Sequence, residues 1–449
     1  MGRRIPGIIL WALLLSLPGQ GRGEEKEEFK FELSETEKKP YHLGGFGEFR
    51  PVLNVLDKNA ALYKANFYKE NLGATTGEYN FRVQLEGSYE EGIARLFVRF
   101  NQDVNDTYQG WSSGGTLYEG FLSLKPSESY HFDAGKKVFK WGKGYAWNPV
   151  AFIDRPKDPN DPDLALEGFW TLSGDYIRSF AGPLKTLSFT PVLLPVVSGI
   201  NEDFAGGLSN PAGAPSSSGG DRINFAARLY FLLYDTDIDL VYFTGGSRTT
   251  RYGIDFSRNI TTNLEVHGEL AHIRNFPKTF INADGTVFNQ TFDATGYLLG
   301  MRYLTAMDTT YILEYYHAGT GFTKDQMSDF FSFVVRGYNE YLATGNSTPL
   351  QRASTLSRGG YGRNTPGTDY LYLRISQKEP FDILYFTPAV TGILNLKDHS
   401  FSLTPELLYT GITNLELRLK TFFLVGKGST EFGEKPNDYR FEFRARYFF

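Results

Sequence analysis

The most constraining feature of this sequence is a hydrophobic period of two that recurs along the chain. The run 79–86 reads Tyr-Asn-Phe-Arg-Val-Gln-Leu-Glu, and the same alternation returns at 94–100, 223–231, 297–303 and 415–420. Side chains of a β-strand point alternately to its two faces, so these runs predict strands with one apolar and one polar face. The strands that contain these runs are expected to be about 9–12 residues long, which fits a tilted strand crossing the roughly 25 Å apolar belt of a membrane barrel.

The composition agrees with a transmembrane β-barrel. The 449 residues include 28 Tyr, 38 Phe and 48 Gly, yet the mean hydropathy is −0.32, too polar for a bundle of membrane helices. A polar lumen that offsets an apolar belt gives this profile. The net charge of −5 gives no reason to expect nucleic acid as a partner. The lack of cysteine excludes disulfides, thiolate metal sites and covalently attached haem, and we expect no cofactor.

Residues 1–23 are predicted to be a cleaved export signal. Arg3 and Arg4 precede an apolar run at 8–17, and small residues at 19–23 offer cleavage sites. The run is too short to span a membrane comfortably. Residues 24–41, rich in Glu and Lys, are expected to be a short periplasmic tail, which leaves residues 42–449 for the barrel.

Short turns alternate with longer links along the barrel region, as in outer-membrane barrels with short periplasmic turns and long extracellular loops. The spacing predicts an all-β, antiparallel barrel of about 18 strands, with 16 as the fallback. An even count leaves both ends of the barrel region in the periplasm. The segment 170–195 is the least certain, because Pro183, Pro191 and Pro195 interrupt it.

The last strand carries a specific signal. Its alternating aromatic face ends in Tyr447 and Phe449, opposite Arg444 and Arg446. This pattern resembles the recognition signal that outer-membrane barrels present to the barrel-assembly machinery. Other aromatic residues are expected at the two membrane interfaces: Trp141, Tyr145 and Trp147 near a long loop, and Tyr234, Tyr303, Tyr311 and Tyr447 near short turns.

One pair of segments resembles a known class of protein. The stretch 118–124, Tyr-Glu-Gly-Phe-Leu-Ser-Leu, is followed at 135–142 by Gly-Lys-Lys-Val-Phe-Lys-Trp-Gly. This resembles a strand pair of porin-like outer-membrane barrels, of the alginate-export type and related uncharacterised porins. The resemblance is confined to these segments. It implies a channel in the outer membrane of a Gram-negative bacterium and does not specify the solute.

Strand parity assigns two opposed sets of charges to the lumen, because closure makes strands 17, 18, 1, 2 and 3 neighbours. The basic arc consists of the inward cations of those strands: Arg50, Arg82, Arg95, Arg99, Arg418, Lys420, Arg440, Arg444 and Arg446. The acidic wall consists of inward acids on strands 9 to 13: Asp239, Asp255, Glu265, Glu269 and Glu314. Opposed charges predict a field across a water-filled pore. The alternative is that the charges only keep the lumen polar.

The link 318–366 is predicted to contain an amphipathic helix. Apolar residues from Met327 to Leu342 recur at three- and four-residue spacing, Thr323 or Asp325 can cap the start, and Gly345 can end the helix. Such a helix would narrow or plug the lumen, pack on other loops, or bind a partner.

Two weaker patterns offer metal ligands. An oxygen-rich run provides a candidate Ca²⁺ site, although its prolines favour a rigid polar turn: Asp158, Asn160, Asp161 and Asp163. Glu265, His267 and Glu269 share one strand face and suit a divalent metal or acid–base chemistry. The alternative for this row is a polar lumen lining.

Together these patterns predict a porin-like channel for passive diffusion of small polar or charged solutes, without enzymatic activity. Its expected partners are outer-membrane lipid, the barrel-assembly machinery and the solutes. One alternative is a scaffold that sheathes a periplasmic or lumenal partner, such as a multihaem cytochrome in an electron conduit. A second alternative is an outer-membrane enzyme or adhesin, although no nucleophile motif favours the enzyme.

Overall fold

The structure is a computed structural model that describes residues 39–206 and 220–449. The predicted export signal and nearly all of the predicted tail lie outside the described residues, as does most of the loop between strands 7 and 8. In the part of the chain that is described, no helix is both long and apolar enough to cross a bilayer.

Eighteen antiparallel strands pair in sequence order and close into one sheet, which confirms the predicted fold class. Closure comes from the first strand, which pairs with the second and also with the last: Phe46 lies opposite Phe448, and Val55 opposite Tyr439. The strands are β1 (Tyr41–Leu56), β2 (Thr75–Glu91), β3 (Ala94–Thr107), β4 (Gly110–Ser127), β5 (Tyr130–Lys137), β6 (Phe169–Ser179), β7 (Leu184–Val196), β8 (Arg222–Leu233), β9 (Thr236–Gly245), β10 (Arg251–Thr261), β11 (Leu264–Ile281), β12 (Val287–Leu304), β13 (Thr309–His317), β14 (Asp369–Gln377), β15 (Phe386–Asn395), β16 (Phe401–Ile412), β17 (Leu415–Val425) and β18 (Asn437–Phe448).

The two rims of the barrel differ in their connections. At one end, the short-turn rim, every connection has two to eight residues. The other end, the long-loop rim, carries the loops 57–74, 138–168, 197–221, 318–368 and 426–436. Alternation of short turns with longer links predicts long links near 103–114 and 276–293 as well, and the structure shows that this prediction is wrong. There, β3–β4 and β11–β12 continue as paired strands into tight hairpins at 108–109 and 282–286.

Four α-helices occur among the described residues, all at the long-loop rim: α1 (Ala61–Phe67), α2 (Glu202–Gly206), α3 (Lys324–Thr344) and α4 (Thr348–Leu356). Helix α3 is the helix predicted within 318–366. It begins after a capping box of Thr323 and Gln326 and ends at Gly345, whose φ of +77° suits glycine.

Helix α3 packs on other loops. Its buried residues Phe330 and Val334 form one apolar cluster with Leu62 of α1 and Leu350 of α4. The end of β11 joins the same cluster through Phe280 and Ile281. The sequence leaves three roles open for this helix: narrowing the lumen, packing on other loops or binding a partner. The contacts of the described residues match packing on other loops at the rim.

The outer face of the barrel is apolar and the inner face polar. Phe81, Val83 and Leu85 on β2 are 41–46% exposed, whereas Gln84 between them is buried. On β18, Tyr439, Phe441 and Phe443 are exposed in the same way, while Glu442 and Arg444 are buried. A band of exposed apolar side chains this extensive requires apolar surroundings.

The aromatic residues near the long loop do not lie at an interface, so this expectation is wrong. Trp141 and Trp147 are only 2% and 7% exposed, because their loop folds into the barrel. By contrast Tyr234, Tyr303, Tyr311 and Tyr447, close to short turns, have exposed side chains.

Replacement of Leu407 by arginine should destabilise the barrel. Leu407 is exposed on the outer face of β16, where lipid or detergent would have to cover the charge, and we expect a loss of about 2–4 kcal/mol in the free energy of unfolding. Urea titration in lipid vesicles, followed by tryptophan fluorescence, measures this loss. Leu407→Phe is the matched control and should be near neutral. Equal stability of Leu407→Arg and the wild type would show that water covers this face.

Candidate functional site: a loop across the lumen

The loop 138–168, here called the lumen loop, folds into the barrel between β5 and β6. Its buried residues Val150, Phe152 and Ile153 pack on the inner surface of the sheet. Their apolar partners include Val192, Leu194, Ala226, Val241, Phe243 and Ala271. The interior beside β7–β11 is therefore filled by this loop.

Glu269 of β11 holds one turn of the lumen loop. Its Oε1 accepts hydrogen bonds from the backbone N–H groups of Lys143 and Gly144, both at 2.6 Å, and Oε2 accepts from Val150 at 3.2 Å. Asn148 adds a side-chain donor at 3.1 Å. Glu269 is 4% exposed, so these donors replace the water that a buried carboxylate loses.

Glu314 of β13 holds the next residues. It accepts hydrogen bonds from the backbone N–H groups of Tyr145 and Ala146, the latter at 2.9 Å. His267 Nε2 lies 2.9 Å from the same carboxylate, and His267 Nδ1 lies 3.1 Å from Glu265. The predicted row of Glu265, His267 and Glu269 is thus divided, because Glu269 binds the loop while His267 bridges Glu265 and Glu314.

Glycine is required where the loop meets Glu269. Gly142 has a φ of +93°, and a Cβ there would lie 2.8 Å from Glu269 Oε1. A Cβ on Gly144 would lie 2.0 Å from the Trp147 carbonyl oxygen. The Trp-Gly-Lys-Gly sequence at 141–144 therefore lets successive backbone N–H groups approach one carboxylate.

Lys143 of the lumen loop contacts two aspartates of the acidic wall. Lys143 Nζ is 2.9 Å from Asp239 and 3.9 Å from Asp255. Both aspartates are about 1% exposed. The acidic wall therefore contacts the loop through both its backbone N–H groups and this ammonium group.

The opposite side of the loop meets the basic arc through Asp161. Its carboxylate lies 2.8 Å from Arg444, 3.1 Å from Lys420 and 3.8 Å from Arg418. Burial alone would raise the pKa of Asp161, but the charges of Lys420 and Arg444 outweigh burial and hold this pKa well below its usual range. The loop thus spans the lumen from one charged wall to the other.

Two buried charges stabilise the loop internally. Asp154 accepts hydrogen bonds from the backbone N–H groups of Phe139 and Trp141 at 2.8 and 3.0 Å, and burial raises its pKa. Lys157 Nζ donates to the Gly144 carbonyl oxygen at 2.7 Å, and burial lowers its pKa. These contacts fold the loop into a compact unit.

Most cations of the basic arc also pair with acids on their own strand or on an adjacent strand. Arg418 also pairs with Glu416 at 3.2 Å. Arg95 lies near the short-turn rim with its guanidinium 5.8 Å from the centre of the Phe97 ring. The remaining pairs join Arg82 to Asp103, Arg99 to Glu86 and Glu119, Arg440 to Glu442, Arg446 to Glu48, and Arg50 to Glu48 and Glu442.

Two cavities lie among the described residues, and one of them is bordered by the lumen loop. One, of about 400 Å³, lies against β1–β4 and is lined by Glu48, Arg50, Asn80, Arg82, Asp103 and Asn105, among others. The second, of about 510 Å³, lies between the lumen loop and the loop 318–368. Its charged lining is mostly basic: Arg155, Lys157, Arg251, Lys278 and Arg363, with Asp154 and Asp158.

The four candidate calcium ligands do not converge on one point. Asp161 pairs with the basic arc, whereas Asp158 accepts hydrogen bonds from Asn160 and Asn364. Asp163 Oδ2 accepts a hydrogen bond from the Tyr145 hydroxyl at 3.2 Å. The structure therefore corrects the metal interpretation of this run, whose carboxylates fix the loop.

The proposed assembly residues lie at the closing seam. The Phe449 N–H donates to the Gly45 carbonyl oxygen, and the Gly45 N–H donates to Phe449, both at 3.1 Å. The side chains of Tyr447 and Phe449 are exposed. Recognition by an assembly machinery stays a prediction.

Comparison with family models and with curated proteins gives no match. Among solved structures, OccK11 (OpdR) of Pseudomonas aeruginosa aligns with a TM-score of 0.49 and 11% identity, over 90% of this chain and 95% of that chain. OccK5 (OpdH) of the same organism aligns at 0.48 and 10%, over 90% and 97%. A triple mutant of the Rhodopseudomonas blastica porin aligns at 0.42 and 11%, over 91% and 100%. At these scores the likeness carries no argument about what this chain does.

Replacement of Glu269 by alanine should loosen the lumen loop. Each hydrogen bond to a buried carboxylate contributes roughly 1.5–3 kcal/mol, so hydrogen exchange at the Lys143, Gly144 and Val150 amides should accelerate by about tenfold or more. Hydrogen exchange with mass spectrometry measures this. Glu265→Ala is the matched control, because Glu265 lies on the same face and accepts hydrogen bonds from Ser257 and His267. Equal exchange in both variants would contradict the assigned role of Glu269.

Proposed function

We propose that the protein is a porin-like channel of a bacterial outer membrane, through which small polar or charged solutes diffuse passively. The observation that carries the proposal is a closed 18-stranded barrel, apolar outside and polar inside, whose lumen is narrowed by a loop held on both walls. Passive diffusion through such a barrel needs no energy input, because solutes move down their own concentration gradients.

The surface of the barrel supports the proposed outer-membrane location. Closure leaves no free sheet edge, and the outward side chains of β2 and β18 are exposed and apolar. Both properties suit hydrocarbon surroundings, where every backbone polar group must be paired within the sheet. Export through a cleaved signal at 1–23 belongs to the same proposal.

The chemistry of the cavities favours small hydrophilic solutes. The cavity against β1–β4 presents both signs of charge, with Arg82 Nε 2.6 Å from Asp103. A wall of paired charges and amides offers hydrogen-bond donors and acceptors to a solute that gives up part of its water. The mostly basic cavity beneath the loop 318–368 favours anionic groups.

The scaffold alternative is not supported by the described interior. A sheathed cytochrome would need the lumen, but Val150, Phe152 and Ile153 already pack on the inner wall. The contact between Asp161 and Arg444 also crosses this space. A partner of that size would have to displace the lumen loop from both walls.

Removal of the lumen loop should widen the channel. Replacing residues 143–161 by a short Gly-Ser linker removes the side chains of Lys143 and Asp161 and the turn held by Glu269, and the single-channel conductance in planar bilayers should rise several-fold. The matched control replaces residues 325–343 of α3, which packs among loops at the rim, and should change conductance much less. Unchanged conductance after removal of the lumen loop would overturn its role as the constriction.

The ion pairs that hold Asp161 on the basic arc should persist in mildly acidic solution. Because the pKa of Asp161 is held below its usual value, its ion pairs are fully present above the unfolded-state pKa of about 3.9 and are lost only as the pH falls through the lower folded-state pKa. Conductance should therefore stay constant from pH 7 to about pH 4. Asp161→Asn should raise conductance across this whole range. Acid opening of the wild type that is absent in Asp161→Asn would contradict this assignment.

A further inference from the structure

A second polar cluster lies on the inner wall, away from the anchors of the lumen loop. It is formed by Ser123 of β4, His131 and Asp133 of β5, and Asp175 of β6. Strand pairing brings them together, because His131 lies directly opposite Asp175 and Ser123 opposite Asp133. Leu122, which adjoins Ser123, is exposed on the outer face, so the cluster faces the lumen.

Three ligand atoms of the cluster converge. One donor atom each of His131, Asp133 and Asp175 lies within 4.8 Å of the other two. The His131 Nε2 to Asp133 Oδ1 distance is 3.2 Å. Two ligands of a tetrahedral ion at about 2.0–2.1 Å are separated by roughly 3.3 Å, so this pair already has the spacing of metal ligands. Asp175 needs only a small side-chain movement to complete the set.

The same geometry argues against a hydrolytic triad. Ser123 Oγ is 2.5 Å from His131 Nε2, and Asp133 Oδ1 faces that same nitrogen. In a Ser-His-Asp triad the carboxylate binds the opposite ring nitrogen, where it orients the imidazole. Here the carboxylate and the hydroxyl both converge on Nε2, the arrangement expected around a shared cation.

Neighbouring residues hold the carboxylates in place. Lys137 binds Asp133 through Oδ2 and leaves Oδ1 towards His131. The Thr190 hydroxyl donates to Asp175 Oδ1. Contacts of this kind, which orient ligands from behind, are typical of metal sites.

The cluster is accessible from the lumen. The side chain of Asp133 is 1% exposed, but that of His131 is 35% exposed, so the imidazole borders the lumen. Arg95 lies opposite Ser123 on the neighbouring strand, with its guanidinium near the Phe97 ring. Ser123 hydrogen-bonds both His131 and Asp133, and rotation about its χ1 angle releases them.

The geometry points to a binding site for a divalent transition-metal ion on the channel wall, with His131, Asp133 and Asp175 as ligands. One imidazole and two carboxylates form a donor set of nitrogen and oxygen that suits Zn²⁺ and its first-row neighbours. The site is independent of the proposed transport activity, since it depends only on β4–β6. Its position near the short-turn rim places a bound ion beside the path of a diffusing solute.

Zinc binding by the full-length protein tests the proposal. The detergent-solubilised barrel, freed of metal with EDTA, is titrated with ZnCl₂ by calorimetry, and one site per chain is expected. His131→Ala and the near-isosteric Asp175→Asn should each weaken that site by about tenfold or more. Anomalous diffraction at the zinc edge should place the ion between His131 and Asp175.

The control is another histidine beside an aspartate. His272 Nε2 is 3.9 Å from Asp293 Oδ2 outside the cluster, so His272→Ala should leave zinc affinity unchanged. Far-ultraviolet circular dichroism confirms folding, and if His131→Ala fails to fold, the Asp175→Asn titration decides. A wild type without a saturable site, or equal affinity in wild type and Asp175→Asn, would overturn the proposal. Intact conductance with no zinc site would refute only this inference and leave the proposed channel standing.

Discussion

The pairing of β1 with β18 is the constraint on which the rest of the structure depends. An open sheet of this length would leave a row of unpaired backbone groups, which cannot be tolerated in hydrocarbon. Closure removes that edge and fixes which side chains face inward. Once the register of Phe46 opposite Phe448 is set, the charges of both lumen walls face one another across a confined space.

Burying these charges without partners would cost free energy, and the lumen loop supplies partners to both sets. Glu269 and Glu314 obtain backbone donors from residues 143–150, while Arg444 and Lys420 obtain the carboxylate of Asp161. The loop thus offers donors to the acidic side and an acceptor to the basic side. Its backbone follows a path that only glycine permits at residue 142, where φ is +93°.

The barrel could be predicted from the sequence because its signals are local. Alternation at 79–86 assigns faces within a single strand, and the caps Thr323 and Gly345 locate α3 within one loop. Pro191 fits inside β7 because the ladder to β6 is interrupted between the pairs Ser173–Val192 and Tyr176–Phe189.

The fold of the lumen loop could not be predicted in the same way. Its hydrogen bonds to Glu269, Glu314 and Arg444 join residues between 119 and 283 positions apart along the chain, and hydrophobic periodicity carries no information about such contacts. A local signal did exist in Trp-Gly-Lys-Gly at 141–144, but it indicates a tight backbone path without naming the carboxylate that the path approaches. The cluster of His131 and Asp175 was missed for a related reason, since it depends on pairing between separate strands.

The contact between Asp161 and Arg444 also has a consequence for biogenesis. Arg444 belongs to the last strand, 283 residues after its partner, and Lys420, the other close partner of Asp161, belongs to the strand before it. The full set of contacts on that side therefore forms only when β17 and β18 have both joined the barrel. An intermediate that lacks β18 is therefore open at its seam and also lacks the contact between Asp161 and Arg444. Closure of the wall and completion of the loop's contacts on the basic side are thus coupled late steps of folding.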